Sequence, residues 1–117
     1  MSDIQRFDVN NRMSRVVVHS GVVYLSGVTA SDASGDVTAQ TRDVLKQIDA
    51  YLEKAGTDKS RLLSTQIWLR DIDRDFAAMN LVWEGWVDSA NTPARATGEA
   101  RMAAPDILVE IIVTAAL

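Results

Sequence analysis

Residues 107–115 are predicted to form a β-strand, in which successive side chains point to opposite faces, and both faces of this strand are largely apolar. One face carries Ile107, Val109, Ile111, Val113 and Ala115. The other face carries Leu108, Glu110, Ile112 and Thr114. In a chain of 117 residues, helices packed on one face would leave the second apolar face in water, which folded monomers avoid. We therefore expect another subunit to cover that face.

Two short runs of β-branched and aromatic residues, 16–19 and 22–25, stand near the start of the chain. The dipeptide Ser20-Gly21 separates them, and a two-residue connection of this kind predicts a tight β-hairpin. Small and polar residues then predict a loop over 31–36.

The hydrophobic period changes to that of a helix after Asp36. Asp36 is a candidate N-cap, and Gly56 stands where a C-cap glycine belongs. The helix between them is expected to bury one stripe of side chains: Val37, Thr41, Val44, Leu45, Ile48, Leu52 and Ala55.

The second half of the chain repeats the change from strand to helix. Residues 63–70 alternate between apolar and polar types, which predicts a strand, and Asp73 or Asp75 is the expected N-cap of a second helix. The apolar face of that helix consists of Phe76, Met79, Val82, Trp83, Trp86 and Val87. A polar strand over 95–102 and a turn at Pro105 lead into the last strand.

These elements follow one another in the order β-β-α-β-α-β-β, and we expect residues 1–117 to form a single domain. Two helices beside about five strands favour an α+β fold, with an antiparallel or mixed sheet and both helices on one face.

The kinds of site open to the chain are limited by its lack of cysteine and its single histidine, His19. A thiol nucleophile, a disulfide framework and a zinc site built on cysteines are excluded. The net charge of −4 argues against nucleic-acid binding. The first residues lack a signal-peptide core and no apolar run would span a bilayer, so we expect a cytoplasmic protein that is not bound to a membrane.

Arg95 and Glu110 are the charged residues whose positions point most strongly to a site. Arg95 opens the polar strand, where its planar guanidinium would bind a carboxylate through two parallel bonds; the alternative is a surface ion pair. Glu110 lies between Leu108 and Ile112, so its carboxylate should be desolvated unless a cation pairs with it. It is a candidate general base or water-holding group, and the alternative is an ion pair buried in a subunit interface.

Other features are explained by structure or left open. Trp68 lies on the polar face of its strand and is a candidate for lining a cleft or an interface. The acidic segment 71–75 resembles the start of a calcium loop, but Phe76 stands where that loop needs glycine, and helix capping explains the aspartates better. We therefore expect no metal site, and we expect His19 to be a satisfied surface histidine.

Four segments of the chain coincide with the signature of one family. They are Tyr24-Leu25-Ser26-Gly27, residues 47–56, residues 75–80 with the tryptophans that follow, and Pro93-Ala94-Arg95 with Val109-Glu110-Ile111. Together they make the chain resemble the RidA (YjgF) family of reactive-intermediate deaminases, and within it the branch of YoaB-like and RutC-like proteins. The resemblance runs nearly from end to end, and the combination is specific.

The resemblance implies a chorismate-mutase-like α+β fold assembled as a homotrimer, with the sheets facing inward and clefts between the subunits. Better-known members hydrolyse 2-imino acids, or their enamine tautomers, to 2-keto acids and ammonia without a cofactor. By the same resemblance, the two catalytic residues are Arg95, which binds the substrate carboxylate, and Glu110, which positions the attacking water. Ser26, Gly27 and Thr97 complete the substrate-binding pocket.

The chain departs from the family pattern in the walls of this pocket. Met13 stands near the position of a tyrosine, Val28 replaces a glutamine, and Thr97 replaces a cysteine. Carboxylate binding is thus better supported than turnover, and the alternative function is a non-catalytic trimeric binder of small carboxylates or keto acids with a regulatory role. A ribonuclease or translation inhibitor, a label also attached to the family, is disfavoured by the acidic charge.

Overall fold

The structure is a computed structural model that describes residues 3–117. Its elements are, in chain order, β1 (Gln5–Val9), β2 (Ser14–His19), β3 (Val22–Leu25), α1 (Val37–Ala55), a 3₁₀ turn (Lys59–Arg61), β4 (Leu62–Leu69), α2 (Ile72–Trp86), β5 (Ala94–Glu99) and β6 (Val109–Ala116). Within the described residues the strands form one sheet in the order β1-β2-β3-β6-β4-β5. Neighbouring strands are antiparallel except β4 and β5, which are parallel, so the sheet is mixed.

The predicted order β-β-α-β-α-β-β and the mixed α+β architecture are confirmed, with one strand added in front. The added strand, β1, has the sequence Gln-Arg-Phe-Asp-Val, and its central phenylalanine alone is half-buried. A polar edge strand of this kind lacks the hydrophobic alternation that marks a half-buried strand, so periodicity does not predict it.

The turn and cap predictions are confirmed for the hairpin and for α1. Ser20 and Gly21 both have positive φ, 51° and 78°, as this tight hairpin turn requires. The Asp36 carboxylate accepts a hydrogen bond from Ala39 N at 3.0 Å, and Gly56 ends the helix with φ of 88°.

The predicted cap of α2 is wrong. The helix is capped by Asp71, whose carboxylate accepts a hydrogen bond from Arg74 N at 3.1 Å, and not by Asp73 or Asp75. The chain turns immediately after β4 ends at Leu69, so the first of the three aspartates reaches the cap position. Asp75 is instead buried, and it forms an ion pair with Arg74 at 2.8 Å.

Two apolar side chains, one on the apolar side of the predicted strand over 63–70 and one on the apolar face of the predicted second helix, are exposed. The pairing of β4 with β6 shifts between Leu62 and Ser64, and this irregularity turns Leu63 outward, leaving it 48% exposed. Phe76 is 43% exposed on α2, on the same helical stripe as Asn80.

The last two strands are shorter than predicted. β5 ends at Glu99, and the carboxylate of that residue accepts a hydrogen bond from Ile72 N at 3.1 Å, at the start of α2. β6 begins at Val109 rather than at residue 107. The connection between the two strands is therefore longer than the polar pattern indicated.

Both helices pack on one face of the sheet, called the helix face below. Cross-strand neighbours point to the same face, and the fully buried side chains of the central strand β6 are Val109, Ile111, Val113 and Ala115. They meet the predicted stripe of α1, whose buried members include Val37, Thr41, Val44, Leu45, Ile48 and Leu52. No helix within residues 3–117 has the length and apolar character needed to cross a membrane.

The opposite face of the sheet is called the open face, because no helix or strand of the described residues covers it. Side chains on this face include Val17, Tyr24, Trp68, Glu110 and Ile112, all half-buried or exposed. The helices thus cover one face of β6 and leave the second apolar face uncovered within one chain. Its cover by another subunit, and the homotrimer, stay predictions.

Candidate functional site

Arg95 lies on β5, the edge strand of the sheet, and its side chain extends over the helix face. Its register partner on β4 is Thr65, which is buried. Nη1 of Arg95 donates a hydrogen bond to Asn80 Oδ1 at 2.8 Å, and the guanidinium carbon lies 5.6 Å from the centre of the Trp83 ring. Two residues of α2 therefore orient the guanidinium, one by a hydrogen bond and one by a cation–π contact. Two side-chain ion pairs are present within residues 3–117, and Arg95 takes part in neither of them.

Two threonine hydroxyls lie on the same face beside Arg95. Thr97 follows Arg95 by two positions on β5, and Thr65 is opposite Arg95 on β4. Both hydroxyl oxygens are buried and have no hydrogen-bond partner in the described part of the chain. Buried polar atoms are nearly always paired in folded proteins, so these two hydroxyls are exceptions that lie on the same face of the sheet as the Arg95 guanidinium.

Glu110 lies on the open face of β6, opposite Trp68 of β4 in the antiparallel register. Its carboxylate packs against Gly27, just after β3. A Cβ atom on Gly27 would collide with Oε2 of Glu110 and lie 3.0 Å from Cδ. Glycine is therefore required at position 27 if the carboxylate is to keep this place. The adjacent Ser26 donates its N–H to Arg15 O at 3.0 Å, and its hydroxyl is buried with no partner among residues 3–117.

The structure divides the predicted site residues into two groups. Arg95 and Thr97 belong to the helix face at the edge strand, whereas Glu110 packs against Gly27 on the open face. The division follows from β4, where Thr65 and Trp68 are three positions apart and so point to opposite faces. Within one chain the structure does not bring Arg95 and Glu110 together.

The loop that follows β3, residues 26–36, is fixed to α1 by polar side chains. Asp43 Oδ2 accepts a hydrogen bond from Ser31 N at 2.6 Å, and Gln47 Nε2 donates to Thr29 O at 2.9 Å. Gln40 bonds to the same loop and is 1% exposed. No role was predicted for these three residues from the sequence. The feature that could have indicated one is a polar side chain placed among the apolar positions of an amphipathic helix.

The remaining residues singled out in the sequence occupy varied environments in the fold. His19 is half-buried, and its Nδ1 is buried with no partner among residues 3–117, so the expectation of a satisfied surface histidine is wrong. Met13 is 41% exposed between β1 and β2, and Val28 is buried and pairs with Ile111. Trp68 is 36% exposed on the open face. In the described residues no cluster of three or more carboxylate or imidazole side chains is placed to hold a metal ion.

The family model described as Endoribonuclease L-PSP matches residues 3–117. The chain belongs to this family. Its curated relatives confirm the predicted RidA/YjgF membership and the RutC-like and YoaB-like branch. A RutC family protein of Haemophilus ducreyi is 45% identical over 114 residues, which are 97% of each chain. The RutC family protein YoaB of Escherichia coli strain K12 is 42% identical, over 97% of this chain and 98% of that protein.

Solved structures of the family share the architecture. NMB1025 of Neisseria meningitidis, described as a member of the YjgF protein family, gives a TM-score of 0.94 at 44% identity and covers 97% of this chain and 94% of its own. A putative translation initiation inhibitor from Salmonella typhimurium gives 0.89 at 39% identity, covering 97% of each chain. The α+β fold predicted from the resemblance is therefore the fold of this family.

Proposed function

We propose that the protein hydrolyses reactive 2-imino acids, or their enamine tautomers, to 2-keto acids and ammonia. The observation that carries the proposal is the Arg95 guanidinium, held by Asn80 and Trp83 beside the hydroxyls of Thr65 and Thr97. A guanidinium presents parallel donors that match a carboxylate, and every 2-imino acid has a carboxylate next to its imine carbon. Membership of the RidA/YjgF family supports the same chemistry.

The site belongs to the contact between two subunits of a homotrimer. The support is that Arg95 lies at an edge strand, whereas Glu110 lies on the opposite, open face of the same sheet. The apolar side chains of the open face need a cover. A subunit that covers this face can bring its own edge strand, with Arg95, toward Glu110 of the first subunit. One subunit then binds the substrate carboxylate and the other holds the water.

Glu110 is assigned the activation of water. Its carboxylate takes a proton from the water while the water oxygen bonds to the imine carbon and the C=N electron pair moves to nitrogen. The proton then passes to that nitrogen, which gives a carbinolamine. The proton of its hydroxyl group is transferred through Glu110 to the nitrogen as the C=O bond of the keto acid forms, and the C–N bond breaks to release ammonia. Because the imine carbon is already electrophilic, correct placement of the carboxylate and the water supplies much of the rate enhancement.

A non-catalytic binder of small carboxylates or keto acids is the second candidate function. It is favoured by the departures from the family pattern at three positions that the resemblance assigns to the pocket, Met13, Val28 and Thr97. Such a binder needs the group around Arg95 and does not need Glu110. Turnover therefore separates the two functions, whereas carboxylate binding does not.

A coupled assay makes this separation. An amino-acid oxidase generates the 2-imino acid in the presence of semicarbazide, which traps the imine, and the loss of trapped imine is followed by absorbance. We expect wild-type protein to lower the trapped fraction in proportion to its concentration, because hydrolysis competes with trapping. A wild-type protein that leaves the trapped fraction unchanged, yet is stabilised against heat by 2-oxobutanoate, is a binder and contradicts the proposed hydrolysis.

A further inference from the structure

Two segments lie next to Glu110: the loop after β3 and residues 106–108, which lead into β6. Among the contacts described for residues 3–117, the side-chain amide of Gln40 on α1 is the one polar group that bonds to both segments. We infer that Gln40 is a positioning residue for Glu110, which fixes the water-activating half of the site. This inference rests on the proposed function, because it assigns Gln40 a part in turnover.

The Gln40 side chain is buried, and its amide group is fully bonded. Nε2 donates hydrogen bonds to the carbonyl oxygens of Ala33 at 3.2 Å, Gly35 at 3.0 Å and Asp106 at 2.9 Å. Oε1 accepts a hydrogen bond from Leu108 N at 3.0 Å. One amide therefore ties α1 to the loop after β3 and to a segment that is 66 to 68 positions away in sequence.

The distant segment leads directly into the strand that carries Glu110. Leu108 precedes Glu110 by two positions, and its carbonyl oxygen accepts a hydrogen bond from Arg70 N at 3.0 Å. The backbone of Leu108 is thus held through its carbonyl by Arg70, the residue that follows β4, and through its N–H by Gln40. Together these bonds set the path along which the chain enters β6.

The loop held by Gln40 carries the other surface that Glu110 touches. Ala33 and Gly35 lie in the loop that begins at Ser26 and Gly27, and the Glu110 carboxylate packs against Gly27. A shift of either segment would change the position of the carboxylate relative to the water. The group around Arg95 has no bond to Gln40 and should be unaffected.

Gln40 occupies a buried position where an apolar side chain would be sufficient for packing of the core. It lies one turn from Val37 and Val44 in the buried stripe of α1. Burying an amide is unfavourable unless every polar atom is bonded, and here every one is. The amide therefore provides directed bonds to two segments, which an apolar side chain of the same volume would not provide.

The experiment compares Gln40→Met with Thr57→Val at 25 °C, after circular dichroism has shown both variants to be folded. Each substitution keeps the approximate size of the side chain and removes its hydrogen bonds. Thr57 is a matched control, because it is buried just after α1 and donates to Ala116 O at the far end of β6 at 2.6 Å, with no bond to the loop after β3 or to residues 106–108. We expect Gln40→Met to lower kcat by about 10- to 100-fold while KM changes less than about threefold, and Thr57→Val to keep kcat within about threefold.

A folded Gln40→Met protein with the wild-type kcat overturns the inference, and so does an equal loss of kcat in the two variants. If Gln40→Met does not fold, amide hydrogen exchange of the wild type decides: protection of Leu108 N–H equal to that of the β6 amides supports the inference, and exchange at the rate of an open loop overturns it. A wild-type protein without turnover overturns the proposed function itself, and it is recognised before any variant is compared.

Discussion

Arg95→Ala is expected to lower kcat/KM for 2-imino acid hydrolysis by about 100- to 1,000-fold, mainly through a higher KM. The guanidinium is the charged group assigned to the substrate carboxylate, and loss of one partner of such a pair leaves the other charge without compensation. Asn80 and Trp83 hold the guanidinium before substrate arrives, so its removal also loses a preorganised contact. The measurement is the semicarbazide-coupled assay over a range of substrate concentrations.

Two further variants show whether the guanidinium itself matters. Arg95→Lys keeps the charge but loses the planar pair of donors, and we expect an activity between wild type and Arg95→Ala. Arg42→Ala removes an exposed arginine of α1 and should leave kcat/KM within about twofold of wild type. Equal activities of wild type and Arg95→Ala would contradict the assignment of the carboxylate to Arg95.

Glu110→Gln is expected to lower kcat by about 100- to 10,000-fold with little change in KM. Glutamine fits the same space against Gly27, so the change removes the proton acceptor without altering the packing. The group around Arg95 lies on the other face of the sheet, and binding of the substrate carboxylate should persist. Initial rates give kcat, and thermal stabilisation by 2-oxobutanoate reports binding separately.

The control for this variant is Glu84→Gln, which neutralises an exposed carboxylate of α2 and should keep the wild-type kcat. Stabilisation of Glu110→Gln by 2-oxobutanoate, together with the loss of kcat, would assign Glu110 to water activation. A Glu110→Gln protein with the wild-type kcat would remove Glu110 from the reaction and leave water activation to another group.

The sequence was sufficient to predict the turns and helix caps that depend only on neighbouring residues. The Ser20-Gly21 turn, the Asp36 cap and the Gly56 cap each depend on the conformational preference of one or two residues. The choice among three aspartates at the start of α2 depends on where β4 ends, and that end is set by strand pairing. The outward position of Leu63 also depends on strand pairing, because the register between β4 and β6 shifts next to this residue.

The two groups of the candidate site could not be separated from the sequence, because the separation depends on register. Arg95 shares a face with Thr65, and Glu110 shares a face with Trp68, only because β4 pairs with β5 and β6 in the observed alignments. Thr65 occupies an ordinary position of a predicted strand. Asn80 belongs to one of the four family segments, and its contact with the guanidinium spans 15 positions of sequence.

The most direct test of the central claim is to mix the two inactive variants, Arg95→Ala and Glu110→Gln, and to let their subunits exchange by joint refolding. If each site takes its arginine from one subunit and its glutamate from another, random mixing in equal amounts should restore about a quarter of the wild-type activity, because one site in four then has both intact groups. Activity no higher than that of the two variants measured separately would contradict a shared site.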